Sequence, residues 1–309
     1  MTTAGASSVA LLTCSMARDL DLFALLARSV DDHVDPAIPH RVIVPGAELA
    51  AFKPYATPRR EIIAQEDVLP VKLWKAPRAL RHLAFIKAGF RRPLYLAPGF
   101  KPVRGWMLQQ LLKIDLARSA PEAAVMHVDS DVAFFRRFSA DQAFAGGKPR
   151  FFRALGKTRN PWHRPWVEAS CAMLGVAAPA EHDAHYIENC VLWGTDVTRR
   201  MAARIEEQSG KPLHEAIFAE RTMSEYYLYG VFADLLGGAD GLMPEEVSFC
   251  NSYWPDDETG PVDFDALKAR LQPKHVAMAV QSTHQLTAQD RAALYRRADT
   301  EFPDTGAGS

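Results

Sequence analysis

The sequence predicts an α/β protein with a mixed, mainly parallel sheet flanked by helices. Short apolar runs that are typical of buried strands alternate with stretches of helical periodicity. The chain also opens with a strand, a helix and a second strand, a unit that places its helix across a parallel pair. Its 309 residues are 48% apolar, which suits one large domain. We predict a single domain over residues 1–300 and a disordered tail over residues 301–309.

The opening unit carries the clearest pattern. Residues 8–14 form an apolar run bounded by small polar residues, which predicts a buried strand. Apolar residues recur at helical spacing from Leu22 to Val30, after Asp19, and predict a helix. Residues 41–44, closed by a proline and a glycine, predict the second strand.

The remaining elements follow with less regular spacing. Residues 54–105 contain many prolines and aromatic residues without a clean period, and predict an insertion of short elements and loops. An amphipathic helix over residues 106–117 then leads to a buried strand over residues 123–128. Further strands are predicted over residues 150–155, 186–192 and 275–281, and further helices over residues 197–208, 224–236, 264–271 and 287–297.

Asp129 and Asp131 come directly after the strand predicted over residues 123–128. Ligands of open α/β sheets bind beyond the carboxyl ends of the strands. Two carboxylates at this spacing on an extended chain point to one side, and their oxygens suit Mg²⁺ or Mn²⁺. Such an ion holds a nucleotide diphosphate and stabilises it as a leaving group. An Asp-x-Asp pair also occurs in ordinary turns, so its position is what indicates function.

Five segments make the chain resemble the GT-A type nucleotide-diphospho-sugar glycosyltransferases, and within them a mostly uncharacterised bacterial family. The segments are Val9-Ala-Leu-Leu-Thr-Cys-Ser15 with Arg18-Asp19, Trp106-Met-Leu-Gln-Gln-Leu-Leu-Lys113, His127-Val-Asp-Ser-Asp131, Glu188-Asn189 before Trp193, and Ser224-Glu-Tyr-Tyr-Leu-Tyr-Gly230. The resemblance implies a single GT-A-like (Rossmann-like) domain. It also implies metal-dependent transfer of a sugar from a nucleotide-sugar donor of the UDP or GDP type to a hydroxyl of a carbohydrate or lipid-linked acceptor, such as a surface polysaccharide or glycolipid precursor.

The resemblance also implies roles for individual residues at the donor. The nucleotide pocket would be lined by Thr13, Ser15, Arg18 and Asp19. Asp129 would face the ribose or the metal.

The metal site, as the resemblance implies it, has Asp131 as the more direct ligand of Mn²⁺ or Mg²⁺. A late histidine often completes the site in such folds, and we choose His284, with His275 second. The segment that usually carries this histidine in one retaining family is missing here.

Two glutamates compete as the general base that an inverting transfer needs to deprotonate the acceptor hydroxyl. Glu225 begins a predicted helix among aromatic residues and is the preferred candidate, and Glu188 is its rival. In the alternative interpretation, Ser224 caps that helix and Glu225 only complements the helix dipole. A retaining mechanism needs no such base, so both outcomes stay open.

A basic, aromatic-rich segment between Val68 and Ile114 contains ten basic residues and no acidic residue. A solvated surface normally mixes both signs. We assign Lys113 to the donor diphosphate because its helix leads into the Asp129 strand, and expect the others to meet an anionic acceptor or an anionic membrane surface. The ten are Lys72, Lys75, Arg78, Arg81, Lys87, Arg91, Arg92, Lys101, Arg104 and Lys113.

Composition excludes several classes of protein. The formal net charge of −1 argues against a general nucleic-acid binder, so no nucleic-acid partner is expected. The four cysteines lack a zinc spacing. No apolar run approaches the roughly 20 residues that cross a bilayer, and the first residues lack a signal-peptide pattern. We therefore expect a cytoplasmic protein that associates with the membrane only peripherally.

Two other functions compete with glycosyl transfer. A sugar nucleotidyltransferase shares a related fold but uses a glycine-rich N-terminal loop to hold a triphosphate, and residues 13–17 contain no glycine. A non-catalytic sugar-binding or lipid-binding protein would keep the same scaffold without turnover.

Overall fold

The computed structural model describes residues 8–77, 94–97, 99, 101–156, 163–254, 262, 264–281 and 286–302. Its helices are α1 (Leu20–His33), α2 (Leu49–Phe52), α3 (Gln65–Val68), α4 (Gly105–Ser119), α5 (His163–Leu174), α6 (Thr195–Ser209), α7 (Leu213–Ala219), α8 (Glu225–Leu235), α9 (Phe264–Ala269) and α10 (Ala288–Glu301). Its strands are β1 (Val9–Cys14), β2 (His40–Val44), β3 (Arg60–Ala64), β4 (Trp74–Lys75), β5 (Leu94–Leu96), β6 (Val103–Arg104), β7 (Ala124–Val128), β8 (Val132–Phe134), β9 (Phe144–Ala145), β10 (Lys148–Phe152), β11 (Ala154–Leu155), β12 (Ala184–His185), β13 (Cys190–Gly194), β14 (Met243–Glu245), β15 (Cys250–Tyr253) and β16 (Ala277–Val280).

The central sheet has the strand order β13-β7-β1-β2-β3. β1 runs parallel to both β2 and β7, β2 runs parallel to β3, and β13 at the edge is antiparallel to β7. Helix α1 connects the parallel strands β1 and β2, as the opening pattern predicts. The predicted α/β class, with a mixed and mainly parallel sheet flanked by helices, is confirmed.

Helices cover both faces of this sheet. On one face α4, α5, α6 and α8 pack together, and their buried side chains form an apolar cluster that includes Leu12 of β1. On the other face α1 packs against β8, and the cluster there includes Leu11. Successive residues of a strand point to opposite faces, so neighbours in β1 belong to different clusters.

Three predicted element boundaries differ from the structure. The predicted insertion over residues 54–105 contains β3, which is the edge strand of the central sheet. Its buried Arg60 bonds to His40 Nδ1 and to Asp31, and this polar residue breaks the apolar pattern of a strand. The strand predicted over residues 186–192 begins only at Cys190, and the one predicted over residues 150–155 is divided between β10 and β11.

The C-terminal helix begins after Thr287, where the sequence predicts its start. Thr287 is the N-cap of α10, and its Oγ1 accepts a hydrogen bond from the backbone N–H of Asp290 at 3.1 Å. The carboxylate of Asp290 accepts in return from the backbone N–H of Thr287, which completes a capping box. The predicted tail lies largely outside the described residues. No helix in the described ranges combines the length and apolar character needed to cross a bilayer.

Candidate functional site

A cleft of about 1260 Å³ opens at the carboxyl ends of β1 and β7. Its walls come from α4, the N-terminus of α8, the chain before β13, and β15. Pockets for one small ligand usually measure about 300–1,000 Å³. The volume of this open cleft lies above that range.

One part of the cleft, which we name the charged end, consists of Lys113, Asp129, Asp131, Glu225 and Tyr226. The Lys113 side chain is only 6% exposed. Its Nζ lies 2.8 Å from the Tyr226 hydroxyl, 3.2 Å from Glu225 Oε1 and 3.4 Å from Asp129 Oδ1. Burial opposes its charge, but the surrounding acidic groups, Asp129 first, hold the pKa of Lys113 well above its ordinary value. Lys113 is therefore an ammonium ion fixed by three oxygen atoms.

The turn of Asp129, Ser130 and Asp131 is held from several directions. Ser130 donates its hydroxyl hydrogen to Ser15 Oγ at 2.9 Å. The Asp129 N–H lies 3.3 Å from the Asn189 carbonyl oxygen, and Tyr295 donates its hydroxyl hydrogen to the Asp131 carbonyl at 2.7 Å. Asp131 is buried, whereas the Asp129 side chain is 35% exposed. Both line the cleft, as their place after β7 predicts.

The two carboxylates of this turn are oxygen donors of the kind that Mg²⁺ and Mn²⁺ prefer. Within the described ranges, no group of three or more His, Cys, Asp or Glu side chains is arranged to bind a metal by itself. Mg²⁺ sites commonly need only one or two carboxylates, together with substrate phosphates and water. Asp129 and Asp131 supply those carboxylates on the wall of the cleft.

The histidine chosen as a further metal ligand, His284, lies outside the described residues. His275, the second choice, lines the cleft and is buried. Its Nδ1 accepts a hydrogen bond from the backbone N–H of Gln272 at 3.1 Å, so a metal bond would have to use Nε2.

The end of β1 presents different residues from those expected at the nucleotide. Thr13 does not line the cleft, because its side chain is fully buried and its Oγ1 lies 3.0 Å from His40 Nε2. Cys14 faces the cleft instead, as the two-residue period of a strand requires. Burial raises the pKa of the Cys14 thiol to about 12, so it is protonated at neutral pH. Ser15 is buried and binds the Asp129 turn through Ser130.

Arg18 and Asp19 lie on the wall of the cleft beyond β1. Arg18 Nε lies 3.2 Å from Asp19 Oδ1, and the guanidinium remains largely exposed. An exposed arginine at the mouth of a cleft is able to bind an anion that enters it.

The two candidate bases have different surroundings. The Glu225 side chain is 5% exposed and bound to Lys113, at the first residue of α8. Ser224, at the N-cap position, makes no side-chain capping hydrogen bond. Glu188 lines the cleft and is half-buried, and its Oε1 accepts from the backbone N–H of Asn189 at 3.0 Å. Glu188 lies just before β13, which begins only at Cys190.

Another part of the cleft, which we name the aromatic end, consists of Trp106, His163, Trp166 and His185. All four are half-buried and line the cleft. The Trp106 and Trp166 ring centroids are 6.4 Å apart, and His163 lies 5.6 Å from Trp166 and 4.9 Å from His185. Tyr227 packs behind them, with its hydroxyl 3.3 Å from His185 Nδ1. The sequence pattern did not predict this group.

The basic segment divides between described and undescribed residues. Half of its cations, Arg78, Arg81, Lys87, Arg91 and Arg92, lie outside the described residues. Lys72 and Lys75 are exposed beside Trp74, whose side chain is 56% exposed on β4. Trp74 pairs across strands with Leu96, which is also exposed. None of these four lines the cleft.

Comparison with solved structures finds likeness to a galactosyltransferase. The chain is similar to LgtC crystallised with donor and acceptor sugar analogues, with 14% identity and a TM-score of 0.46 over 93% of this chain and 95% of that chain. It is similar to an active-site mutant of LgtC at 14% identity and a TM-score of 0.45, with the same coverage. No protein of curated function matches the chain. The model of a family of unknown function, DUF6492, matches residues 8–295. Because that match covers nearly the whole chain, the protein belongs to the DUF6492 family.

Proposed function

We propose that this protein is a metal-dependent glycosyltransferase that moves a sugar from a nucleotide-diphosphate donor to a hydroxyl acceptor. The observation that carries the proposal is the charged end. Asp129, Asp131 and the buried ammonium of Lys113 all line the cleft beside the carboxyl ends of β1 and β7, and the ammonium lies 3.4 Å from Asp129 Oδ1. This is where open α/β sheets bind their ligands.

The charged end supports binding of a UDP-type or GDP-type diphosphate. A Mg²⁺ or Mn²⁺ ion held by Asp129 and Asp131 would neutralise charge on the leaving diphosphate. Lys113 offers a second positive charge that needs no rearrangement, because Glu225 and Tyr226 already hold its ammonium in place. Arg18 supplies a third positive charge at the mouth of the cleft.

In an inverting transfer, the base removes the proton of the acceptor hydroxyl while the acceptor oxygen bonds to the anomeric carbon. The bond between that carbon and the diphosphate oxygen breaks, and the diphosphate leaves with its electron pair. The Glu225 carboxylate is engaged by the Lys113 ammonium, whereas the Glu188 carboxylate lines the cleft without contacting that ammonium. We therefore assign the base to Glu188, and give Glu225 the role of positioning Lys113.

A turnover assay tests the proposal. The protein is incubated with UDP-sugars and GDP-sugars, with Mn²⁺ and with chelator, and release of the nucleoside diphosphate is measured. We expect metal-dependent release with one class of donor, and loss of that release in Asp131→Asn. Asp196→Asn is the matched control, since Asp196 is an exposed surface aspartate of α6 outside the cleft. If no donor releases its nucleoside diphosphate, the transferase proposal is wrong and the non-catalytic binding protein becomes the better interpretation.

We also propose that the exposed face of β4 and β5 meets an anionic membrane surface, which would be the cytoplasmic leaflet. Trp74 and Leu96 form an apolar pair on this face, and Lys72 and Lys75 flank it. Each lysine near an anionic bilayer contributes about 1 kcal/mol, and tryptophan favours the interface. Cosedimentation with vesicles containing phosphatidylserine, compared with neutral vesicles, tests the contact; equal pelleting with both would argue against it.

A further inference from the structure

We propose that the aromatic end of the cleft is a binding subsite for the ring of an uncharged sugar, which serves as the acceptor. The inference rests on the proposed function, because it gives the acceptor of that reaction a chemical class and a place. It goes beyond the proposed function by assigning residues that no pattern in the sequence singled out as a group: Trp106, His163 and Trp166, with His185.

The lining of the aromatic end fits a sugar ring. Its four members line the cleft, and this group of described residues includes no carboxylate, ammonium or guanidinium. The C–H groups of a hexopyranose form an apolar surface that packs on an aromatic ring, while its hydroxyls need polar partners. Pockets that bind small polar ligands combine apolar walls with a few polar groups in this way.

The ring geometry of the aromatic end is mixed. His163 and Trp166 are stacked on each other at an interplanar angle of 27°, whereas Trp106 and Trp166 meet at 42° and His163 and His185 at 34°. A nucleobase also stacks on aromatic faces, so the test below includes nucleotides as competing probes.

The histidines supply the polar groups that hydroxyls require. Within the described residues, His163 Nδ1 is buried and has no hydrogen-bond partner. Burial lowers the pKa of His163, so its imidazole is neutral at pH 7. A neutral imidazole donates through one nitrogen and accepts through the other, as a hydroxyl also does. Because His163 Nδ1 is closed to solvent, a bound sugar hydroxyl would reach this atom only after the imidazole ring turns toward the cleft.

The aromatic end is placed to direct an acceptor toward the chemistry. Trp106 and Lys113 lie seven residues apart on α4, which corresponds to about 10 Å along the helix axis. On the opposite wall, the chain runs from His185 through Glu188 to Asn189, whose carbonyl lies 3.3 Å from the Asp129 nitrogen. Glu188 therefore lies between the aromatic end and the charged end. A sugar on the aromatic wall would present a hydroxyl on the side of the cleft where the base and the donor meet.

Saturation-transfer NMR tests the subsite without any donor. The probes are methyl β-D-glucopyranoside, methyl β-D-galactopyranoside and methyl α-D-mannopyranoside. We expect saturation to reach the C–H protons of at least one probe, and Trp166→Ala to raise its Kd about tenfold or more. Leu235→Ala is the control, because Leu235 is an exposed apolar residue at the end of α8 and lies outside the cleft. It should leave the Kd unchanged.

Two further measurements keep the subsite falsifiable if Trp166→Ala fails to fold. Trp166→Phe keeps a ring, and should weaken binding about threefold or less with an unchanged circular dichroism spectrum. His163→Gln keeps hydrogen-bonding atoms, and should retain more affinity than His163→Leu. No binding of any probe, or equal binding by wild type and Trp166→Ala, overturns the subsite. The subsite is also overturned if saturation reaches the protons of UMP or GMP and Trp166→Ala abolishes this transfer, because the aromatic end would then bind a nucleobase.

Failure of the subsite and failure of the proposed function give different results. Probe binding that depends on Trp166, with no diphosphate release from any donor, leaves the subsite standing and refutes the transferase. Metal-dependent donor hydrolysis that is unchanged in Trp166→Ala, together with undiminished transfer to the methyl glycosides, refutes the subsite alone. With both correct, Trp166→Ala raises the KM for the acceptor about tenfold and leaves donor hydrolysis at the wild-type rate.

Discussion

The two ends of the cleft hold their side chains in different ways. At the charged end, one buried ammonium contacts three oxygen atoms, so the polar groups are bound to each other before any ligand arrives. At the aromatic end, the contacts run mainly between ring faces, and His163 Nδ1 has no partner within the described residues. The charged end thus holds its ionic groups in position for the diphosphate that we propose as its ligand. The aromatic end offers ring surfaces and imidazole nitrogens to the uncharged sugar that we propose there.

Replacing Lys113 tests how strongly the charged end depends on its ion pairs. Lys113→Met leaves the Glu225 carboxylate buried without its ammonium, which should lower the free energy of unfolding by about 3–5 kcal/mol. The double variant Lys113→Met/Glu225→Gln should recover most of this loss, because the buried carboxylate is then neutral and the remaining partner, Asp129, is 35% exposed to water. Urea unfolding measures all three proteins.

Lys75→Met is the control for the loss of a lysine. Lys75 is half exposed and lies 3.8 Å from Glu48, so its removal should change stability by no more than about 1 kcal/mol. Equal effects of Lys113→Met and Lys75→Met would contradict the account of the charged end.

Glu188→Gln and Glu225→Gln separate the two carboxylates by function. If Glu188 is the base, Glu188→Gln should lower kcat for transfer about 100-fold or more and leave the KM for the donor near its wild-type value. Glu225→Gln should chiefly raise the donor KM, since it acts through the position of Lys113. Steady-state kinetics measure both, and the reverse pattern would assign the base to Glu225.

Trp106→Ala extends the comparison along α4, because this residue shares a helix with Lys113 but belongs to the aromatic end. We expect the KM for a sugar acceptor to rise about tenfold, and binding of the nucleoside diphosphate to stay within about twofold of wild type. Initial rates at varied acceptor give the first quantity and calorimetry gives the second. A loss confined to diphosphate binding would place the donor at the aromatic end.

The sequence located the charged end better than the aromatic end, for physical reasons. Asp129, Asp131 and the α4 helix follow from local patterns: an apolar strand, its carboxyl end and a helix that leads into it. The contact of Lys113 with Tyr226 joins residues 113 positions apart, and no local pattern encodes it. The roles of Glu188 and Glu225 depend on such contacts, so the sequence offered both glutamates as the base and favoured Glu225 only by its place at the start of a helix among aromatic residues.

Two other features could not be predicted from the chain alone. Which side of the sheet each residue of β1 faces decides whether Thr13 or Cys14 lines the cleft. Because both faces of this strand are buried, its sequence shows no alternation of apolar and polar residues from which the two sides could be told apart. Helix α5 carries His163 and Trp166, and Pro165 in its first turn weakens the sequence signal for a helix at this place. The aromatic wall therefore became visible only once α5, α4 and α8 were packed together.

Replacing His127 gives the smallest change in stability that we predict. His127 is fully buried against Trp193, and burial, with the charge of Lys113, holds its pKa well below 6.5. The His127 side chain therefore takes up a proton near pH 6.5 in the unfolded chain but stays neutral at that pH in the folded protein. As a result, the free energy of unfolding falls as the pH drops below 6.5. The slope from one such histidine is at most about 1.4 kcal/mol per pH unit.

His127→Leu removes the imidazole, so the free energy of unfolding should fall less steeply below pH 6.5, with a slope smaller by up to about 1.4 kcal/mol per pH unit. Urea unfolding at pH 7.5, 6.5 and 5.5 measures this slope. An unchanged slope in the variant would mean that His127 is protonated in the folded protein.

Calorimetric titration of UDP and GDP into the protein, with Mn²⁺ and with chelator, tests the role of the charged end most directly. The account predicts that one of the two diphosphates binds, that chelation weakens this binding about 100-fold or more, and that Asp131→Asn has the same effect. Binding that is undiminished by chelator and by Asp131→Asn, or no binding of either diphosphate, would contradict it.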